Sequence, residues 1–548
     1  MKKRIVGNCI CLILSVICVG CANTNNDKVT NEEVSQAITQ EKVSLSAGDL
    51  IGYKDDNVYS FKGIPYATAE RFKMPKPIES YENENQMALT YGAVAPQGKT
   101  KSEAELNPYE FITPGSVDML SSENCQYLNV WTNDLSGNKP VIVLFHGGGI
   151  TSGASSELSG YTGEYFASKE DVVFVSVNHR LNVLGYLDLS NYGGEEYANS
   201  GLVGIEDCVV ALEWIQENIK EFGGNPENVT IVGQSGGVQK VTTLASMSNT
   251  VDLFDKVVYL SGYYSTSPKE EGEENARKIA EYLQVSDEEL IPTLTAMSYD
   301  ELENTATQAG CSWALNYGIG TFESPFIDEN GKMNEYAAQR TYIVGTAYSE
   351  MNSNGGSLIT EGQNESNYLP NLTDDKATSM LEEIYGDKTP AIIEEYKKTY
   401  PDHQLAELLY INLGRDRYSR YGLIEENNGI LKIFDEAGVK AYNYVISYKL
   451  PYFGGTTMYH SGDIPFWFGS IDEVDHMIQG DRKNARNVSD KMVNALAAFA
   501  TTGNPSTEEL EWKPYTADEH YTMVFDTESA CKQDFDLALY NLLMEENQ

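Results

Sequence analysis

Short apolar runs in this chain stop repeatedly at glycine. Pro140 to His146 (PVIVLFH) halts at Gly147-Gly148-Gly149, and Val172 to Val177 (VVFVSV) is a second run. Val229 to Val232 leads directly into Gly233-Gln234-Ser235-Gly236-Gly237, and Val257 to Leu260 is a fourth run. Continuous apolar stretches of this length, bounded by glycine, predict buried strands. Between the second and third, Gly204 to Ile219 spaces its apolar residues as a helix does and ends before Phe222-Gly223-Gly224. Strands alternating with helices predict an α/β fold: a mainly parallel central sheet covered on both faces. Residues 265–310 and 370–430 are helix-like, the first strongly acidic, and suit helical insertions over the sheet. No repeat or linker interrupts the chain after residue 46, so residues 46–548 read as one domain.

The first residues differ in kind. Lys2, Lys3 and Arg4 precede an apolar stretch, Ile5 to Val19, that is too short to span a bilayer comfortably. It ends in Cys18-Val19-Gly20-Cys21, which resembles a bacterial lipobox with Cys18 where Leu is usual. Residues 1–20 therefore read as a lipoprotein-type signal peptide, with Cys21 as the lipidated first residue of an exported, surface-tethered protein; plain secretion is the alternative. Residues 21–45 are polar and read as a flexible tether.

Composition narrows the partners. With 81 acidic against 39 basic residues the net charge is −42, which repels nucleic acid and anionic membrane surfaces. Membrane contact is then expected only through a lipid at Cys21, and the expected partner is a small molecule. Hydrophobic residues at 41% suffice for a large core. Beyond the N-terminal segment four cysteines remain, Cys125, Cys208, Cys311 and Cys531, which allow three pairings and match no metal-binding spacing. Cys208 shares a helix face with Ile205 and Leu212, so it is expected as a buried free thiol.

Gly233-Gln-Ser235-Gly-Gly237 fits G-x-S-x-G directly after a β-branched run. The chemistry needs a sharp strand-to-helix turn that pushes the Ser235 hydroxyl clear of the backbone, and bulky neighbours would collide there. His146-Gly147-Gly148-Gly149 also closes a strand, and glycines let backbone N–H groups turn toward a developing oxyanion. A phosphate loop would require a following Lys-Ser/Thr helix, which this chain lacks at that point.

Taken together the motifs resemble the type-B carboxylesterase family, which includes the cholinesterases. The matching segments are Phe61–Ala67 with Arg71-Phe72, Glu123–Trp131, Gly147–Gly149 with Ser152-Gly153, Asn178-His-Arg180, Gly223–Thr230 leading to Ser235, Ser261-Gly262, and Trp512–Tyr515. They follow the family's order over roughly residues 46–530. The resemblance implies the α/β-hydrolase fold and a serine esterase without metal or cofactor. By position it implies Glu350 as the triad acid, after the run ending at Gly345, and His460 as the base, before Phe466-Trp-Phe-Gly469. Asp328 is the fallback acid. Elimination also favours His460: His146 and His179 sit in turns before the nucleophile, while His403, His476 and His520 lie in polar stretches and are expected to be solvated.

Several positions depart from the family pattern. Gln234 replaces the usual Glu before the nucleophile, Gly236 the common Ala after it, and Ser349-Glu350-Met351 the usual Asp-Glu-Gly. The family's first disulfide pairs Cys125 with position 95, which is Ala95 here, and the choline-binding Trp falls at Gly115. The expected reaction is ester hydrolysis by Ser235, His460 and Glu350, with the oxyanion on the N–H groups of Gly148, Gly149 and Gly236. Another acyl hydrolysis (lipase or thioesterase) and a catalytically silent binding protein are the competing readings. Tyr263, Tyr264, Trp313, Tyr317 and Phe322 are pocket candidates, with core packing the plainer role for each.

Overall fold

A computed structural model of the chain describes residues 38–97, 119–350, 372–413, 420–424, 429–451 and 455–544. Cys21, the lipobox-like segment and Gly115 lie outside these residues. From Ile38 onward the chain forms one compact unit.

Three strands, β1 (Thr39–Leu45), β2 (Gly48–Asp55) and β3 (Val58–Pro65), form an antiparallel meander, and β4 (Tyr127–Thr132) continues it. The structure therefore corrects the tether: its last residues, Thr39–Leu45, are an edge strand paired to β2 along its whole length. Only Val43 of that strand is fully buried, which is why its polar sequence reads as unstructured.

The main sheet continues through β5 (Lys139–Phe145), β6 (Val173–Val177), β7 (Gly224–Gln234), β8 (Lys256–Leu260), β9 (Thr341–Ala347), β10 (Ala441–Ile446), β11 (Thr522–Phe525) and β12 (Ala530–Lys532). They stand in the order β4-β6-β5-β7-β8-β9-β10-β11-β12, and pairing is parallel from β6 through β11. With Asn85–Met87 beside β2, thirteen strands of the described residues make one sheet. Every residue of β5, β6 and β8 is buried, as expected of parallel strands covered on both faces.

Helices α1 (Val203–Asn218) and α2 (Gly236–Ala245) cover the sheet beside β7. The acidic insertion resolves into α3 (Lys269–Leu283), α4 (Asp287–Ala296) and α5 (Tyr299–Gln308). Ser286 with Glu289, and Ser298 with Glu301, form capping boxes that start α4 and α5. Ile279, Leu290, Leu294 and Leu302 of this insertion pack with Phe72 and Leu184 into a second core. Arg71 fastens it to the body, donating to the Leu294 and Met297 carbonyls at the end of α4 at 3.0 and 2.6 Å while pairing with Glu123. The later insertion contributes α6 (Asp374–Tyr385) and α7 (Thr389–Thr399), and α8 (Arg482–Thr502) packs on the core near the chain's end. Among the described residues no helix is long and apolar enough to cross a membrane.

The four described cysteines are free, Cys208 as a buried thiol. Cys125 sits in a small apolar cluster with Ala95 and Leu181. The position where the family places its disulfide partner is thus adjacent here too, and the methyl of Ala95 fills it. Phe322 belongs to the main core, and Trp313 and Tyr317 pack partly buried against it.

Candidate active site

Strand β7 ends at Gln234 and α2 begins at Gly236, so Ser235 alone makes the turn between them. Its backbone is forced to φ 52° and ψ −119°, a conformation that side chains other than glycine rarely adopt. Ser235 N–H holds the turn by donating to the Leu260 carbonyl of β8 at 2.9 Å. The flanking glycines are there for space. A Cβ on Gly233 would lie 2.3 Å from the Gly237 carbonyl oxygen, and one on Gly237 would lie 2.2 Å from that of Phe145.

The acid and the base arrive from two further strand ends. Past β9 the chain crosses to Glu350, which is buried and has φ 45°. Its Oε1 accepts the Ala347 N–H at 2.7 Å, and its Oε2 lies 2.6 Å from His460 Nδ1. The two segments are also joined by backbone, with His460 N–H donating to the Glu350 carbonyl at 3.3 Å. The carboxylate fixes the proton on Nδ1, leaving Nε2 as an acceptor, and Nε2 stands 2.8 Å from Ser235 Oγ. All three residues expected from the resemblance are thus in one hydrogen-bonded line. The fallback Asp328 is elsewhere, accepting the N–H groups of Asn330 and Lys332 in its own turn.

The other histidines sort differently from expectation in one case. His146 and His179 are buried and stacked, ring centroids 4.9 Å apart, and His476 is exposed. His520 pairs with Asp534 at 2.8 Å. His403, expected to be solvated, instead has its side chain largely enclosed, with Nδ1 2.6 Å from Glu407 and Nε2 3.5 Å from Asp526. Its local sequence is polar because its partners are charged.

Two further residues belong to the site. Gln234 Nε2 donates to Ser461 Oγ at 2.8 Å and lies 3.5 Å from His460 Nε2, while its Oε1 accepts the Tyr161 hydroxyl at 2.9 Å. The amide thus braces the segment that carries the imidazole. Asp463, three residues past His460, is fully buried; burial first, then the charge of Glu350, pushes its carboxyl up to about 7. In the sequence Gln234 stands out only as a departure from the family pattern, and Asp463 hardly at all. Its one signal was an acidic residue inside an otherwise apolar segment.

Beside Ser235 the glycine loop runs through left-handed backbone at Gly148 (φ 81°) and Gly149 (φ 63°). Among the described residues the N–H groups of Gly148, Gly149 and Gly236 have no protein acceptor, leaving three donors unclaimed next to the nucleophile. The contact explains Gly236: a Cβ there would lie 2.2 Å from Gly149 Cα. In this chain the loop comes too close for the alanine common in the family. Gly236→Ala is therefore expected to push the two halves of the donor set apart and lower kcat at least ~10-fold, with little change in KM. Steady-state kinetics on a p-nitrophenyl ester check it; an unchanged kcat would mean the loop yields freely. Among the described residues no cluster of three or more His, Cys, Asp or Glu is placed to hold a metal ion.

This arrangement has clear relatives. The model of the carboxylesterase family matches residues 39–541. The para-nitrobenzyl esterase of Bacillus subtilis is 28% identical over 516 residues, covering 91% of this chain and 97% of that one. The phenmedipham hydrolase of Pseudarthrobacter oxydans is 27% identical, covering 90% and 96%. Among solved structures, an esterase from Clostridium hathewayi described as hydrolysing aliphatic aromatic polyesters superposes with a TM-score of 0.79 at 28% identity, covering 92% of this chain and 99% of that one. A thermophilic para-nitrobenzyl esterase gives 0.71 at 25% identity, covering 92% and all of its chain. The chain belongs to the carboxylesterase family: it is a carboxylic ester hydrolase of the α/β-hydrolase fold.

Proposed function

We propose that the protein hydrolyses a small-molecule carboxylic ester by acyl transfer through Ser235. His460 Nε2 takes the hydroxyl proton as Oγ adds to the carbonyl carbon. The N–H groups of Gly148, Gly149 and Gly236 receive the negative charge that forms on the carbonyl oxygen. Glu350 keeps the proton on Nδ1 and stabilises the imidazolium. His460 then gives its proton to the departing alcohol, leaving an acyl ester on Ser235. Water enters, the same imidazole deprotonates it, and the acid is released. The observation that carries this reading is the hydrogen-bonded run from buried Glu350 through buried His460 to the partly exposed Ser235, with contacts of 2.6 and 2.8 Å.

The test combines labelling and turnover. A fluorophosphonate is expected to modify one residue, Ser235, and to abolish hydrolysis of p-nitrophenyl esters in proportion to the label. An acyl series from acetyl to palmitoyl then sizes the pocket. Hydrolysis that survives complete modification would sink the proposal, as would a label found on another residue.

A further inference from the structure

Beneath the glycine loop lies a layer of buried ionisable side chains with no part in the steps above. Lys240, one turn into α2, is fully buried. Among the described residues its hydrogen-bond partner is the His146 carbonyl, which Nζ reaches at 2.8 Å. The His146 and His179 rings lie stacked close by; burial first, and then the charge of Lys240, holds both well below the usual imidazole range. Burial pushes the Glu157 carboxyl up to about 7, and it pushes the Cys208 thiol on α1 up as well. A lysine enclosed this way, with no carboxylate bonded to it, is a costly placement that packing alone would fill with an apolar side chain.

Its location gives it a task. The three unclaimed donors come from two separate stretches of chain: Gly148 and Gly149 from the loop, Gly236 from α2. Whether they converge depends on how α2 sits against that loop. The helix touches the loop at both ends. A Cβ on Gly237 would lie 3.1 Å from the His146 carbonyl oxygen, and one on Gly236 would lie 2.2 Å from Gly149 Cα. Across the first of these contacts Lys240 supplies a charge-assisted hydrogen bond, the stronger kind.

We propose that Lys240 is a positioning residue for the oxyanion hole, its ammonium tying α2 to the carbonyl that opens the glycine loop and setting positive charge beneath the forming anion. The inference rests on the acyl-transfer reading above. The charge can be removed by pH. Burial lowers Lys240 to about 8, and the Glu157 carboxylate opposes that only in part. The facing groups are Glu157, Cys208, His146 and His179, and the two imidazoles are neutral, so the ammonium is the positive charge of this layer. As pH rises through about 8 the site loses that charge and the bond to His146 weakens.

The experiment uses the full chain with Lys240→Met and Lys240→Arg. Active sites are counted by fluorophosphonate label. Then kcat, KM and the Ki of an aryl trifluoromethyl ketone are measured per labelled site from pH 6 to 10. The ketone's adduct with serine carries an anionic oxygen in the hole. Lys240→Met is expected to lose about 10-fold in kcat at nearly constant KM and to weaken the ketone by the same factor. Lys240→Arg recovers part of both. The wild type is expected to show a decline in kcat and in ketone affinity above pH 8 that Lys240→Met lacks. Unchanged per-site kcat and Ki in Lys240→Met would overturn the inference. Should that variant not fold, a wild type whose kcat and Ki stay level to pH 10 would overturn it equally. A wild type that takes no label sinks the acyl-transfer reading and this inference with it; a labelled wild type beside an unaltered Lys240→Met sinks this inference alone.

Discussion

Ser235→Ala, His460→Ala and the double variant are all expected to be slowed to nearly the same residual rate, roughly 10⁶-fold below wild type in kcat. The reason lies in the geometry of the pair. With Nε2 2.8 Å from Oγ, the imidazole does its work on the serine's proton, so each group is idle without the other. Two independent contributions would multiply; two parts of one device do not. Glu350→Gln is expected to cost less, about 10⁴-fold, because the nucleophile and base remain while the amide no longer fixes the proton on Nδ1. That variant also disturbs the Ala347 N–H bond at 2.7 Å that aims the carboxylate. What remains in every variant is the donor set of Gly148, Gly149 and Gly236, so a residual rate above uncatalysed hydrolysis should survive. Purified variants assayed on one p-nitrophenyl ester decide it. If the double variant loses the product of the two single losses, the hydrogen-bonded line is not a working unit.

Much of this site is legible in the sequence, and the reason is local. A buried strand of a parallel sheet must be apolar throughout, and a turn that presents a nucleophile must be small, so β5, β7 and their glycines are written in consecutive residues. The helix expected over 204–219 forms at Val203–Asn218 for the same reason. Glu350 and His460 carry far less local signal; only the ordered resemblance placed them. β1 escaped because an edge strand buries one residue, Val43, and needs little else that is apolar. His403 and Asp463 escaped because their surroundings come from distant strands. Asp463 takes its charge environment from Glu350, and His403 meets Asp526 from the far end of the chain. A histidine in a polar stretch gives no sign that folding will enclose it, and one acidic residue before an apolar run gives little more.

His403 also sets the second large effect, on stability. Burial alone would hold its imidazole down, but the hydrogen bond to Asp526 and the charges of Glu407 and Asp526 outweigh it and lift the group to about 9. Glu407 and Asp526 are lowered in turn: burial opposes their charge, and His403, with Lys449 3.0 Å from Glu407, overcomes it. A histidine whose folded value lies above its unfolded one stabilises the fold fully below the unfolded value and loses that contribution as pH rises through the folded one. The lift from 6.5 to about 9 corresponds to about 3 kcal/mol, present below pH 6 and gone by pH 10. The two phenols packed against it do not titrate across that window. Tyr348, stacked at 5.1 Å, and Tyr400, at 5.3 Å, are both held well above the usual phenol range, first by burial. Urea midpoints measured from pH 6 to 10 should therefore start higher for wild type than for His403→Gln and converge on it by pH 10, while Lys240, lowered to about 8, adds the same rising background to both. Parallel curves would mean that His403 is not charged in the folded protein.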